Sequence, residues 1–192
     1  MAIVNGLKSE IISVLIIVLC FIGTVLKDHI GYNFVTAVFM HGNMQHFMNN
    51  MLLFLMLSPA VEKTYGKLNY IGAFLLTAIV DYLFQTYVAN VMAIGLSGFV
   101  FALFMLNCFI TDKRRGISIC GIILLFIYGF KEISGVMHND GISHSGHLIG
   151  LATGLVYAFV YNRIKQAKED YNDEQETSGS SMFDERCLDG AV

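Results

Sequence analysis

Six stretches of mostly apolar sequence, about residues 10–26, 43–61, 68–88, 97–111, 117–133 and 144–162, fill most of this 192-residue chain. Nothing else in it restricts the possible folds so strongly. About 20 apolar residues cross a bilayer as a helix, and fewer suffice where a segment starts inside a protein cavity. The joints between the stretches are polar or carry glycine: KDHIGYN, EKTYGK, TDKRRG and HNDGIS. Runs such as IISVLIIVL and GIILLFIYGF show none of the alternation of a membrane β-barrel, and the single proline, Pro59, leaves helices few breakers. The apolar share is 55% and the charged share 14%, against the ~45–50% and ~25% of soluble domains. A soluble domain and a disordered chain are both poor fits on that ground. A net charge of −3 offers no basic surface to nucleic acid. The expected fold is an all-α polytopic membrane protein of six transmembrane helices in a lipid bilayer.

The first span has no A-x-A cleavage site, and Leu19 before Cys20 spoils a lipid-attachment motif, so it is expected to stay as a helix. Cys20, Cys108 and Cys120 lie within apolar runs and Cys187 in a polar stretch. No pair has C-x-x-C spacing, which argues against a disulfide framework or zinc knuckle. Positive charge sets the orientation. With the N-terminus inside, the inner joints and ends carry Lys8, Lys63, Lys67, Lys113, Arg114, Arg115, Arg163, Lys165 and Lys168, and the outer loops carry only Lys27 and Lys131. Both termini are therefore expected in the cytosol. Residues 1–162 form the expected membrane domain. Residues 163–192, rich in acids with a Ser/Gly run at 178–181, are expected to be a solvated, mostly disordered cytosolic tail.

Polar groups at membrane depth are costly, and so informative. They are His41, His46, Asn49 and Asn50 at the second span, Asp81 in the third, Ser97 opening the fourth, and His144 and His147 opening the sixth. Spans two, four and six run from outside to inside, so their first residues share the outer leaflet. At a rise of about 1.5 Å per residue, Ser97 stands about 20 Å above its span's cytosolic end, His147 about 22 Å, and His46 and Asn50 about 24 and 18 Å. Three non-adjacent helices thus bring Ser, His, His and Asn to one depth. His46 and Asn50, at i and i+4, share a face. His147, Gly150 and Gly154 form one stripe, and Gly98 and Ala102 offer a matching small face that would let spans four and six approach closely.

Serine is a poor nucleophile until a base takes its proton, and histidine is the usual base. Ser97 precedes the apolar run GFVFALFML, which places it at a helix N-terminus where free N–H groups favour an oxyanion. With His46 and Asn50 as further donors, these are the parts for acyl transfer by a Ser97–His147 dyad. Asp140, in the loop before span six, is a weaker candidate for an assisting acid.

HGNMQHFMNN, EKTYG, GLSGFVFAL and GHLIGLATG, in that order on those spans, resemble the rhomboid family of intramembrane serine proteases over about residues 9–162. The resemblance implies a six-helix rhomboid-like bundle with Ser97 as nucleophile after Gly95, His147 as base, and Gly150 and Gly154 as packing residues. It implies His46 and Asn50 as oxyanion donors, His41 as a brace for the outer loop, and Glu62 and Gly66 as the motif closing span two. Phe101 stands where many members carry a tyrosine stacked on the base, and the loop at about 27–42 lacks their tryptophan–arginine pair. The implied substrate is another protein's transmembrane segment, cut near its outer end and entering between spans two and five, with Phe126, Tyr128 and Phe130 as gate candidates. No cofactor or metal is implied. The default location is the bacterial inner membrane, and the sequence leaves the oligomeric state open.

Two other readings are weaker. His41, His46, His144 and His147 lack HExxH spacing and an acidic ligand at their depth, so a zinc site is a poor fit. Asp81, an intramembrane acid with no evident sequence partner, suits a transporter, yet the two halves show no internal repeat. A catalytically silent rhomboid-like protein that binds transmembrane segments without cutting is the alternative nearest to the protease.

Overall fold

The computed structural model describes residues 10–110, 122–123, 126–130 and 143–188, with side chains as far as 175. Among these residues it is helix, turn and loop, with no strand. The helices are α1 (Ile11–Val25), the short α2 (Phe34–Ala37), α3 (Met44–Tyr65), α4 (Lys67–Tyr87), α5 (Ser97–Cys108) and α6 (His144–Leu188). Most of the fifth expected span lies outside the described residues, which show helix there at 122–123 and 126–130. The described chain forms two compact units, Met1–Tyr157 and Ala158–Val192.

In the first unit, α5 is the centre. It is apolar on all sides, and from Gly98 to Leu106 every residue is buried, with Leu103 and Leu106 fully so. A helix without a polar face has to be surrounded. Helix α3 packs against α1, α4 and α5, and α4 also packs against α5 and α2. Phe99 sits at the middle, with ring centroids 5.1 Å from Phe74, 5.6 Å from Tyr70 and 6.4 Å from Phe54. Helix α1 is just as apolar, yet Leu15 and Phe21 are about half exposed. On α4, Leu68 is 83% exposed. Such a broad apolar surface suits lipid, not water.

Among the described residues, α4 is the one helix both long and apolar enough to cross a membrane. Helix α3 has the length, at 22 residues, but its polar residues dilute it. Helix α5, at 12 residues, is shorter than a full span because it begins within the protein at Ser97.

The end of the unit away from Ser97 is held by a buried carboxylate. Glu62, 1% exposed, accepts from the backbone N–H of Ile12 (3.0 Å) and Ser13 (2.9 Å), and from the Ser13 hydroxyl. It thereby caps α1, whose own N-cap residue Glu10 makes no side-chain cap bond. Ser58 joins this network to Ser13 and to the Tyr70 hydroxyl. Gly66, at φ +77°, turns the chain directly from α3 into α4.

In the second unit the structure departs from expectation. Where composition predicts a mostly disordered tail from residue 163, helix continues to Leu188. Residues such as Lys165, Lys168, Glu169 and Glu174 are ready helix formers, so the stretch can be helical while staying solvated. The side chains of Arg163, Lys165 and Tyr171 are exposed.

Candidate active site

Gly95 organises the approach to α5. Its φ of +128° is one that side chains rarely adopt, and its N–H donates to the Ala37 carbonyl at 2.9 Å. A Cβ there would lie 3.3 Å from His46 Nε2 and 3.6 Å from Asn50 Nδ2. The turn into α5 therefore runs past both α3 side chains. Asn43 starts α3 by accepting the His46 N–H on its side chain at 2.8 Å. Asn50 is 6% exposed, and its Nδ2 is buried with no hydrogen-bond partner among the described residues. Asn49, one residue earlier, turns outward to accept from Gln45.

His41 holds the same turn from behind. It is fully buried, its Nε2 receives the Leu96 N–H at 3.4 Å, and its Nδ1 lies 3.1 Å from Thr24 Oγ1. Thr24 gives its own proton to the Cys20 carbonyl at 2.7 Å. Its oxygen must then accept from His41, which sets the Nδ1–H tautomer and leaves Nε2 as the acceptor for Leu96. Burial, and after it the neighbouring His46, pull the His41 imidazole down to about 4. Thr24 is the residue that sequence reasoning missed. A lone threonine near the end of an apolar helix gave no signal.

Helices α5 and α6 cross almost backbone on backbone. A Cβ on Gly150 would land on the Gly98 carbonyl, and one on Gly154 would come 2.6 Å from the Ala102 carbonyl oxygen. One turn before Gly150, His147 lies with its ring stacked on Phe101, centroids 4.3 Å apart and planes 12° apart. Phe101 is four residues after Ser97, hence on the same face of α5, so the stack sets the imidazole on the side to which Ser97 belongs. His147 is 8% exposed and near enough to His46 to interact electrostatically. His144, also buried, meets His147 edge-on at 6.2 Å.

Asp81 has a partner after all. Gln85, one turn along α4, donates to its Oδ1 at 3.2 Å. Its carboxylate wedges between the backbones of Gly98 and Gly146, next in sequence to Ser97 and His147 respectively. Among the gate candidates, Tyr128 packs on Phe104 at 5.1 Å and on Phe101 at 6.3 Å, whereas Phe126 and Phe130 are exposed. Asp140 lies outside the described residues. Among those residues, no group of three or more His, Cys, Asp or Glu could hold a metal ion.

A rhomboid domain model matches residues 28–164, a stretch that holds the whole constellation. The chain belongs to the rhomboid family. A putative rhomboid protein of Acanthamoeba polyphaga mimivirus is 30% identical over 135 residues, covering 67% of this chain and 74% of the viral one. Rhomboid protease GlpG of Klebsiella pneumoniae is 29% identical over 139 residues, 68% of this chain and 48% of its own. Rhomboid-related protein 1 of Caenorhabditis elegans is 24% identical over 153 residues, 72% and 43% of the two chains. This rhomboid thus spans about half the length of the bacterial and worm relatives. Rhomboids are integral membrane proteins, and the family includes intramembrane serine proteases.

Proposed function

We propose that this rhomboid is an intramembrane serine endopeptidase that cuts transmembrane segments of other proteins near their outer end. Ser97 Oγ attacks the scissile carbonyl while His147 takes its proton, and His147 then returns that proton to the leaving amine. The oxyanion that forms is received by His46, Asn50 and the N–H groups that open α5. Water next takes the place of the amine, and His147 activates it to release the acyl group. Phe101 holds the imidazole in plane. His41 keeps the Gly95–Ser97 turn in register, so these donors face one point.

The observation that carries this reading is the unpartnered Asn50 Nδ2. Leaving a buried donor unpaired costs about 1–3 kcal/mol. It sits beside the turn into Ser97, as a donor kept for an oxyanion would. A transmembrane substrate must unwind locally to present a carbonyl, so segments with glycine or other weak helix formers are the preferred ones. The lysine and arginine distribution supports cytosolic termini, with the site toward the outer face.

The deciding experiment is cleavage of a tagged single-span reporter in membranes. Wild-type protein is expected to cut near the outer face, with Ser97→Ala and His147→Ala both inactive. Cutting by both variants would remove the dyad. A folded wild-type protein that neither cuts nor takes a fluorophosphonate on Ser97 would be the silent relative.

A further inference from the structure

We propose that Asp81 acts on the base of the dyad: its carboxylate, set against the α5–α6 crossing, stabilises the positive charge that His147 takes on with the Ser97 proton. The effect is through space, with no hydrogen bond between the two. Asp81 is in this sense a positioning residue, the electrostatic partner of the base. The inference rests on the protease reading and deepens it.

Three observations carry it. The first is place. Asp81 Oδ2 lies 2.8 Å from where a Gly98 Cβ would be, and Oδ1 lies 3.0 Å from that of Gly146. Contacts that short leave no room for a side chain, so glycine at both positions is what admits the carboxylate. Gly98 and Gly146 are next in sequence to Ser97 and His147, and Asp81 is close enough to His147 to interact with it electrostatically. The second is side. His46 and Asn50, the donors proposed for the oxyanion, stand on α3 and face Gly95, whereas Asp81 reaches the turn from α4. Its charge therefore falls on the side of the base, where it favours the cation, and away from the α3 side, where it would oppose the anion. The third is hold. Gln85, 1% exposed, donates to Asp81 Oδ1 at 3.2 Å and accepts from Ser145 at 3.4 Å, which ties the carboxylate to the helix that carries His147. A hydrogen bond given to a carboxylate favours its charged form. The cavity lined by both Asp81 and Ser97 holds about 30 Å³, and one water needs about 10–15 Å³ on this measure. So little water screens the charge weakly.

The described titratable groups that face His147 are His46 from α3, His144 from its own helix and Asp81 from α4, while α5 brings the Phe101 ring. Of these, Asp81 is the anion. A protonated His46 would oppose the imidazolium, and the carboxylate offsets that. Asp81 also faces the Tyr32 phenol, which burial holds above its ordinary 10 and so keeps neutral.

The test uses full-length protein in proteoliposomes with the single-span reporter. Cleavage is followed from about pH 5 to about pH 9, the range in which a histidine base titrates, with fluorophosphonate labelling of Ser97 in the same samples. Asp81→Asn keeps the shape and removes the charge. Its plateau kcat is expected to fall about tenfold with KM little changed, since the lost interaction belongs to the transition state. The low-pH limb of kcat/KM, where the base is lost to protonation, should lie about 1 pH unit lower than in wild type, because a nearby carboxylate favours the protonated ring. The gap between the two proteins should therefore narrow on acidification. Asp81→Ser, smaller and neutral, should move the limb the same way, and it serves if the asparagine variant does not fold. Neutral variants that cut like wild type, or that lose rate with the limb unmoved, would overturn the electrostatic role and leave the dyad standing. Absence of both labelling and cutting in wild type would overturn the protease reading, and this one with it.

Discussion

Phe101 and His41 support the proposed dyad in different ways, one stacked on His147 and the other bound to the Leu96 N–H. Phe101 offers His147 a flat apolar face, and an aromatic pair of this kind contributes about 0.5–1.5 kcal/mol beyond its burial. Phe101→Ala should therefore lower kcat by about three- to tenfold, while Phe101→Tyr keeps the stack and nearly all the rate. Steady-state cleavage of the reporter measures both. His41 makes no chemical contribution in this scheme, but it couples the turn to acid. An unfolded chain binds a proton on this residue near 6.5, and the folded one only near 4. Its contribution to stability is thus complete above pH 6.5 and drains as the pH falls toward 4. Melting in detergent should show wild type losing Tm on acidification more steeply than His41→Gln. Parallel slopes would exclude the mechanism.

At the scale of elements, the α5–α6 crossing decides whether the proposed dyad can form. Gly150 and Gly154 sit on the backbone of α5, where nothing can give way. Gly150→Val should abolish cleavage and fluorophosphonate labelling while the helical content by circular dichroism persists. Gly72 is the control. A Cβ there meets only the far end of Tyr157, whose hydroxyl lies 2.9 Å away and bonds to the Asn69 carbonyl. Gly72→Ala should displace that hydroxyl and leave cleavage close to wild type. The same physics explains why α5 can be short. It is sheltered on every side, so lipid never meets its first turn.

In the first unit, exposed apolar side chains such as Leu15, Phe21 and Leu68 contrast with buried polar ones, among them Asn50, His147 and Glu62. That polarity predicts topology. Tags at the two termini should both be shielded in sealed right-side-out vesicles and both become cleavable in inverted ones, with the Ser97 site on the opposite side. A terminus that behaves otherwise would break the assignment made from lysine and arginine. The helical acidic stretch beyond Tyr157 forms its own compact unit.

Helix starts at Ser97 and His144, the break at Gly66 and the all-helical class were legible in the sequence, because each follows from local chemistry: apolar period, glycine, absence of breakers. Ser97, His147, His46 and Asn50 stand out in the sequence as candidates, since a polar group in an apolar span is costly, and their part in catalysis is the proposal made above. The acidic stretch misled, because composition reports solvation and says little about whether a solvated segment is helical. The partners of Asp81, the hold of Thr24 on His41 and the cap of Glu62 on α1 were not legible. The Thr24 and Glu62 contacts join residues far apart in sequence, and the Asp81 carboxylate takes its place only where α4, α5 and α6 meet. Chain chemistry by itself determined which groups are present and on which helix they stand. Only the packing of the helices decided which of them meet, because close approach depends on backbones touching at glycines and not on any single residue's preference.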